Sequence, residues 1–303
     1  MNNISKLLLL IMIILITVTA CTSTKAPGEK GQEIISARDT LKSISGEEAV
    51  LVDAQNSSAY KDGHVEGAVN ISRNDITTFG PFPNMLAPAE KIEKVLGEKG
   101  IANDSTVIVY DNNNNMDAAR LWWTMKVYGH EDVKVVSGGL KALLKAGAEK
   151  STLMADMLAV KYEITEKNEE MLASREDVKA EVNNPQDDVV LLDVRTQEEY
   201  NAGTIPASVH LNYEYNNFDD GTFRPVRQIH TLYRDKEITP EKTVIMYCKT
   251  SIRAAQTYLA LYNAGYRDLK IYDGAWIEWS SDTSLPVEIP DGTGIKTNFQ
   301  DGS

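Results

Sequence analysis

Cysteine is almost missing from this 303-residue chain: only Cys21 and Cys248 occur, too few for a disulfide scaffold. Histidine is nearly as scarce. His64, His130, His210 and His230 stand at no metal-ligand spacing from each other or from a cysteine, so no metal and no other cofactor is expected. Positive charge is in deficit, with 31 Lys and Arg against 44 Asp and Glu and a net charge of -13. A nucleic-acid partner needs a basic face, so that function class is set aside. Long apolar runs are lacking too, apart from one at the N-terminus. What remains is an ordinary globular composition, 42% hydrophobic and 25% charged, in a chain long enough for about two domains.

The single apolar run, Leu7 to Val18, follows Lys6 and leads into Thr19-Ala20-Cys21. A positive start, about a dozen apolar residues and a small residue before the cut form a signal-peptide pattern. The run is short of the roughly 20 residues a spanning helix needs. Val18-Thr19-Ala20-Cys21 resembles the bacterial lipoprotein box. That resemblance implies acylation of Cys21 and an extracytoplasmic protein, lipid-anchored to the bacterial cell membrane. A cleaved secretory signal with an incidental cysteine, or an uncleaved anchor, is the plainer reading. Thr22 to Gln32 reads as a flexible tether.

The rest of the chain repeats itself. Leu51-Val52-Asp53 answers to Leu192-Asp193-Val194, with the two aspartates 140 positions apart. Tyr60-Lys61-Asp62-Gly63-His64-Val65 keeps that offset to Tyr200-Asn201-Ala202-Gly203-Thr204-Ile205. Farther on, Gly129 to Val133 matches Gly265 to Leu269, and Val136-Ser137-Gly138 matches Tyr272-Asp273-Gly274, at an offset of 136. Each copy alternates short β-branched runs with amphipathic segments. In the second copy, Val189 to Val194 and Thr243 to Tyr247 read as strands, and Arg175 to Val182 (capped by Ser174) and Ile252 to Asn263 as helices. Such alternation predicts an α/β fold, each copy a mostly parallel sheet flanked by helices.

The chemistry concentrates in Val244-Ile245-Met246-Tyr247-Cys248-Lys249-Thr250-Ser251-Ile252-Arg253. An apolar strand ends at a cysteine, and a tight loop then opens a helix. Ligands of open parallel sheets sit at the carboxyl ends of strands. A loop entering a helix gathers peptide N–H groups into an anion cradle. With Lys249 and Arg253 beside it, a thiol there is set up to react as thiolate, the nucleophilic form.

On these residues the chain resembles the rhodanese family, also through Leu192-Asp193-Val194-Arg195-Thr196-Gln197-Glu198-Glu199-Tyr200 and Tyr272-Asp273-Gly274-Ala275-Trp276-Ile277-Glu278-Trp279. Ala118-Ala119-Arg120-Leu121-Trp122-Trp123 and Tyr128-Gly129-His130 to Ser137-Gly138-Gly139 resemble the matching part of two-domain thiosulfate and mercaptopyruvate sulfurtransferases. With the lipoprotein box giving a signal peptide at 1–20 and a tether at 21–33, the rhodanese resemblance implies an inactive rhodanese-like domain at 34–150. A linker at 151–168, a catalytic rhodanese domain at 169–290 and a tail at 291–303 complete the layout. It implies further that Cys248 carries a persulfide, while Lys249, Thr250, Ser251, Ile252 and Arg253 bind an anionic sulfur donor. Asp193, Arg195 and Glu199 would brace the loop from behind as ion pairs. The two cations favour thiosulfate over mercaptopyruvate, and cyanide or a thiol would accept the sulfur. No protein partner is implied.

Two positions depart from the family pattern. Ser251 stands where many family loops have glycine, and Thr204 where histidine is usual after the glycine. In the first copy, Asp111 stands where the second has Cys248, and a carboxylate cannot hold a persulfide. The competing reading is a non-catalytic, membrane-tethered module that binds or senses reactive sulfur or a partner protein. A cysteine phosphatase needs five residues between cysteine and arginine, whereas four separate Cys248 from Arg253.

Overall fold

The computed structural model describes residues 31–46, 49–290 and 294–297. The expected signal peptide at 1–20, Cys21 and most of the tether lie outside the described residues, as does most of the tail. Among the described residues no helix is long and apolar enough to cross a membrane.

The repeat in sequence becomes a repeat in topology. The first half builds a parallel sheet from β1 (Ile34–Ile35), β2 (Val50–Asp53), β3 (Val69–Asn70), β4 (Val107–Tyr110) and β5 (Val133–Val136), in the order β1-β5-β4-β2-β3. The second half builds β6 (Leu172–Ala173), β7 (Val189–Asp193), β8 (Val209–His210), β9 (Thr243–Tyr247) and β10 (Leu269–Tyr272), in the order β6-β10-β9-β7-β8. The two orders are the same order. The middle strands are covered on both faces, which is why Val107-Ile108-Val109-Tyr110 and Val244-Ile245-Met246-Tyr247 are continuous buried runs.

Each middle strand leads into a helix, α1 (Met116–Val127) after β4 and α2 (Ile252–Asn263) after β9. Both are buried over most of their surface, and α2 occupies the residues the sequence predicts. They are buried because they pack on each other across the seam between the halves. Trp122 meets Tyr258 and Tyr262 there, with ring centres 6.1 and 5.5 Å apart. One apolar core therefore runs through both halves, with a smaller cluster on the outer face of each sheet. Ser174 caps the helix Arg175–Asn183 through a capping box, as expected.

The halves also exchange loops. A hairpin of the first half, Thr77–Thr78 paired with Met85–Leu86, reaches the second: Leu86 N donates to Asp273 Oδ2 at 2.7 Å. In return, Phe223 N of the second half donates to Ser137 Oγ at 2.9 Å, and Asn115 Nδ2 donates to Gly221 O at 2.7 Å. Leu86 and Phe223 are matching positions of the repeat, as are Asp273 and Ser137. The docking is reciprocal.

Candidate active site

β9 delivers Cys248 to the carboxyl edge of its sheet, and the chain turns through Lys249, Thr250 and Ser251 into α2. The turn closes because Ser251 takes the left-handed conformation, φ 66° and ψ −9°. A side chain there costs roughly 1–2 kcal/mol against an ordinary conformation. Ser251 is fully buried and its hydroxyl donates to Asp273 O at 2.5 Å, with Tyr272 O at 3.3 Å. These bonds tie the turn to the end of β10 and offset part of the strain. The helix Ala275–Ser281 secures the loop from the other side: Trp276 N donates to Cys248 O at 3.0 Å and Ile277 N to Lys249 O at 3.2 Å.

The cationic residues of the loop differ in circumstance. Lys249 is exposed and has no ion-pair partner among the described residues. Arg253, in the first turn of α2, is held by both oxygens of Glu199 at 2.5 and 2.8 Å. The Arg253 bonds bring the Glu199 carboxyl down to about 2, and it stays ionised. Burial works against the Arg253 guanidinium, but Glu199 and the nearby Cys248 more than offset it. Cys248 itself is only 1% exposed.

Asp193 and Arg195 form a separate pair. Arg195 reaches Asp193 through Nε at 3.0 Å and Nη2 at 2.5 Å, donates to Gly203 O at 2.6 Å, and lies 4.4 Å from the Trp276 ring. Thr204 Oγ1 donates to Asp193 Oδ2 at 2.9 Å and shares a hydrogen bond with the Tyr247 hydroxyl at 2.7 Å. Burial and the Asp193 charge push the Tyr247 hydroxyl up, keeping it neutral. This buried set fixes the ends of β7 and β9 beneath the loop. Glu199 belongs to neither strand; it holds Arg253 and also caps its own helix by accepting from Thr196 N at 3.1 Å. Ile252 is buried. Thr250 Oγ1 accepts from Asn84 Nδ2 at 3.0 Å, a contact from the other half.

The first half shows what such a loop can hold. Asp111, after β4, has its carboxylate encircled by four peptide amides: Asn113 and Asn115 on Oδ1 at 2.9 and 3.0 Å, Asp117 and Ala118 on Oδ2 at 2.8 and 3.0 Å. The loop of this fold is an anion cradle, and here its own side chain fills it. Burial nonetheless pushes the Asp111 carboxyl up to about 6. The charge pattern beside it is inverted. At the position of Arg253 stands Asp117, paired with Arg73 at 2.7 Å.

Three residues near the site carry no local signal in the sequence. Asn84 lies in a hairpin about 165 residues from Cys248, and its role exists only once the halves dock. Arg120 appears in a motif but gives no hint that its guanidinium, wholly buried, joins Asp273 Oδ1 at 2.8 Å and Asn84 O at 2.9 Å. Asp273 reads as part of a closing turn. In space its carboxylate holds the first half while its carbonyl holds Ser251.

The Rhodanese-like domain family matches the chain twice, at residues 36–146 and 174–282. A protein of Mycolicibacterium smegmatis, named provisionally as a thiosulfate sulfurtransferase, is 30% identical over 277 residues, covering 85% of this chain and 98% of its own. A sulfur carrier protein, TtuD, of Thermus thermophilus is 29% identical over 247 residues, covering 75% of this chain and 86% of its own. Among solved structures, an anaerobic ergothioneine biosynthesis enzyme from Chlorobium limicola shares the fold with a TM-score of 0.76. It is 24% identical, the likeness covering 84% of this chain and 69% of that one.

Proposed function

We infer function from one premise: the chain belongs to the rhodanese-like domain family, in two copies, and the chemistry of that family is sulfur transfer. We propose that Cys248 is the sulfur carrier and that the donor is a small anion, thiosulfate before mercaptopyruvate. The observation that carries this reading is the amide cradle around Asp111. A matching strand and helix flank Cys248, with a turn one residue shorter (249–251 against 112–115) and a side chain shorter than the aspartate's.

In the first step the Cys248 thiolate attacks the outer sulfur of thiosulfate. A new S–S bond forms, the old one breaks, and sulfite leaves with the electron pair. The cradle amides stabilise the negative charge that stays on the outer sulfur. In the second step cyanide or a thiol attacks that sulfur and the thiolate is regenerated. Atoms and charge balance in each half, and the kinetics are expected to be ping-pong. Arg253, oriented by Glu199, faces the reacting sulfur, and Lys249 supplies an uncompensated charge for the dianion.

The test is intact mass after incubation with thiosulfate or mercaptopyruvate, beside steady-state cyanolysis. Wild type is expected to gain the mass of one sulfur atom from thiosulfate, and Cys248→Ser to gain none. Absence of both the mass gain and turnover would favour a module that only binds reactive sulfur or a partner. Gain from mercaptopyruvate alone would overturn the donor preference.

We further propose, on Val18-Thr19-Ala20-Cys21 alone, that Cys21 is lipidated and holds the protein on the outer side of a bacterial cell membrane. Expression in a lipoprotein-processing bacterium with a labelled fatty acid tests this. Label on wild type and none on Cys21→Ala is the expected result, and unlabelled wild type rejects the idea.

A further inference from the structure

The connecting loop of the first half's hairpin ends in Asn84, whose backbone is left-handed, φ 66°, a conformation asparagine tolerates better than most residues. Its backbone is fastened on both sides. The Asn84 carbonyl accepts from Arg120 Nη2 at 2.9 Å, and two residues on, Leu86 N donates to Asp273 Oδ2 at 2.7 Å. Arg120 is itself wholly buried and bound to Asp273 Oδ1. The Asn84 side chain therefore projects from a fixed point, and its amide nitrogen donates to Thr250 Oγ1 at 3.0 Å.

A threonine hydroxyl has one proton to give and lone pairs to accept with. Asn84 engages a lone pair, and Thr250 Oγ1 has no other hydrogen bond among the described residues. Its proton is left free, two residues after Cys248, on the side where the halves meet. We propose that Asn84, from the half without a nucleophile, is a positioning residue for sulfur transfer: it commits the Thr250 hydroxyl to donate to the anion arriving at Cys248. The idea rests on the reading of Cys248 given above. It also gives the first half a part in the chemistry beyond packing.

The full chain and five variants decide it in the thiosulfate and cyanide assay: Asn84→Ala, Asn84→Asp, Thr250→Ala, Thr250→Ser, and Asn84→Ala with Thr250→Ala. A hydrogen bond to a charged ligand sets the scale at about tenfold. Thr250→Ala is expected to lose that much in kcat/KM, mostly through a raised KM for thiosulfate, and Thr250→Ser to recover most of it. Asn84→Asp, nearly isosteric, places an acceptor where the donor was and captures the hydroxyl proton. It should lose at least as much as Thr250→Ala and more than Asn84→Ala. The double variant should be no worse than Thr250→Ala. An Asn84→Asp protein with wild-type kcat/KM, or single losses that multiply in the double variant, overturns the proposal.

Failure of the sulfur-transfer reading shows separately, as wild type without turnover. In that event the rates of Cys248 alkylation by iodoacetate and by iodoacetamide carry the test. The anionic-to-neutral rate ratio should fall about tenfold in Asn84→Asp and in Thr250→Ala. A ratio unchanged across the variants rejects the role of Asn84.

Discussion

Glu199 and Arg253 meet across 54 positions of sequence, and their pairing decides how much charge the loop presents. Glu199→Gln leaves Arg253 uncompensated. The KM for thiosulfate should then fall by roughly threefold at low ionic strength and return toward wild type in high salt. The pair also supports the fold. The Glu199 carboxyl is held at about 2, below its ordinary 4.5. Its contribution is thus present above pH 4.5 and lost as pH falls toward 2. Because both side chains are partly exposed, the difference between wild type and Glu199→Gln in urea should be on the order of 1 kcal/mol at pH 7. At pH 3 it should be smaller, and a gap that grows on acidification rejects the assignment.

Asp111 behaves in the opposite sense. Its folded value of about 6 lies above the ordinary 3.8, so the folded protein holds that proton more tightly than the unfolded chain does. That contribution is complete below 3.8 and disappears as pH rises through 6. Measured against Asp111→Asn by denaturation, the advantage of wild type should shrink by about 2–3 kcal/mol from pH 4 to pH 7. A gap independent of pH would show that the four amides keep the carboxylate ionised throughout.

At the scale of elements, the turn between β9 and α2 depends on a serine in a conformation that suits glycine. Ser251→Ala keeps the strained backbone and removes the bonds to Asp273 O and Tyr272 O, so it should cost about 1–2 kcal/mol. Ser251→Gly relieves the strain while losing the same bonds, and should cost less than Ser251→Ala. Chemical denaturation of the two variants checks the order. The strands and helices around this turn were legible in sequence because hydrophobic period and capping are local. Val189, Thr243, Ser174 and the bounds of α2 all fell where the pattern put them. Cys248 stood out for the same reason, as a strand end running into a helix. Partners drawn from another element did not stand out: nothing local tells Glu199 to choose Arg253 over Arg195, or sends Asn84 to Thr250.

At the scale of the molecule, the seam between the halves is core and not a contact of two surfaces. One apolar cluster includes Trp122 and Trp123 from the first half and Tyr258 and Leu259 from the second. The two halves should therefore unfold together, tryptophan fluorescence and far-ultraviolet circular dichroism giving coincident denaturant curves. Two resolved transitions would contradict a shared core. Asp273→Ala strands the buried Arg120 charge at this seam and should cost about 3–5 kcal/mol in the same measurement. That each sheet is mostly parallel could be argued from alternation alone. The reciprocal exchange of hairpins could not, because it depends on how two finished units fit.

The ring of amides around Asp111 means that the first half spends four converging peptide hydrogens on its own side chain. Trimming that one side chain to glycine would leave those four hydrogens without their acceptor. The sister loop has a cysteine at the corresponding strand end and no carboxylate with which to occupy its own turn in that way.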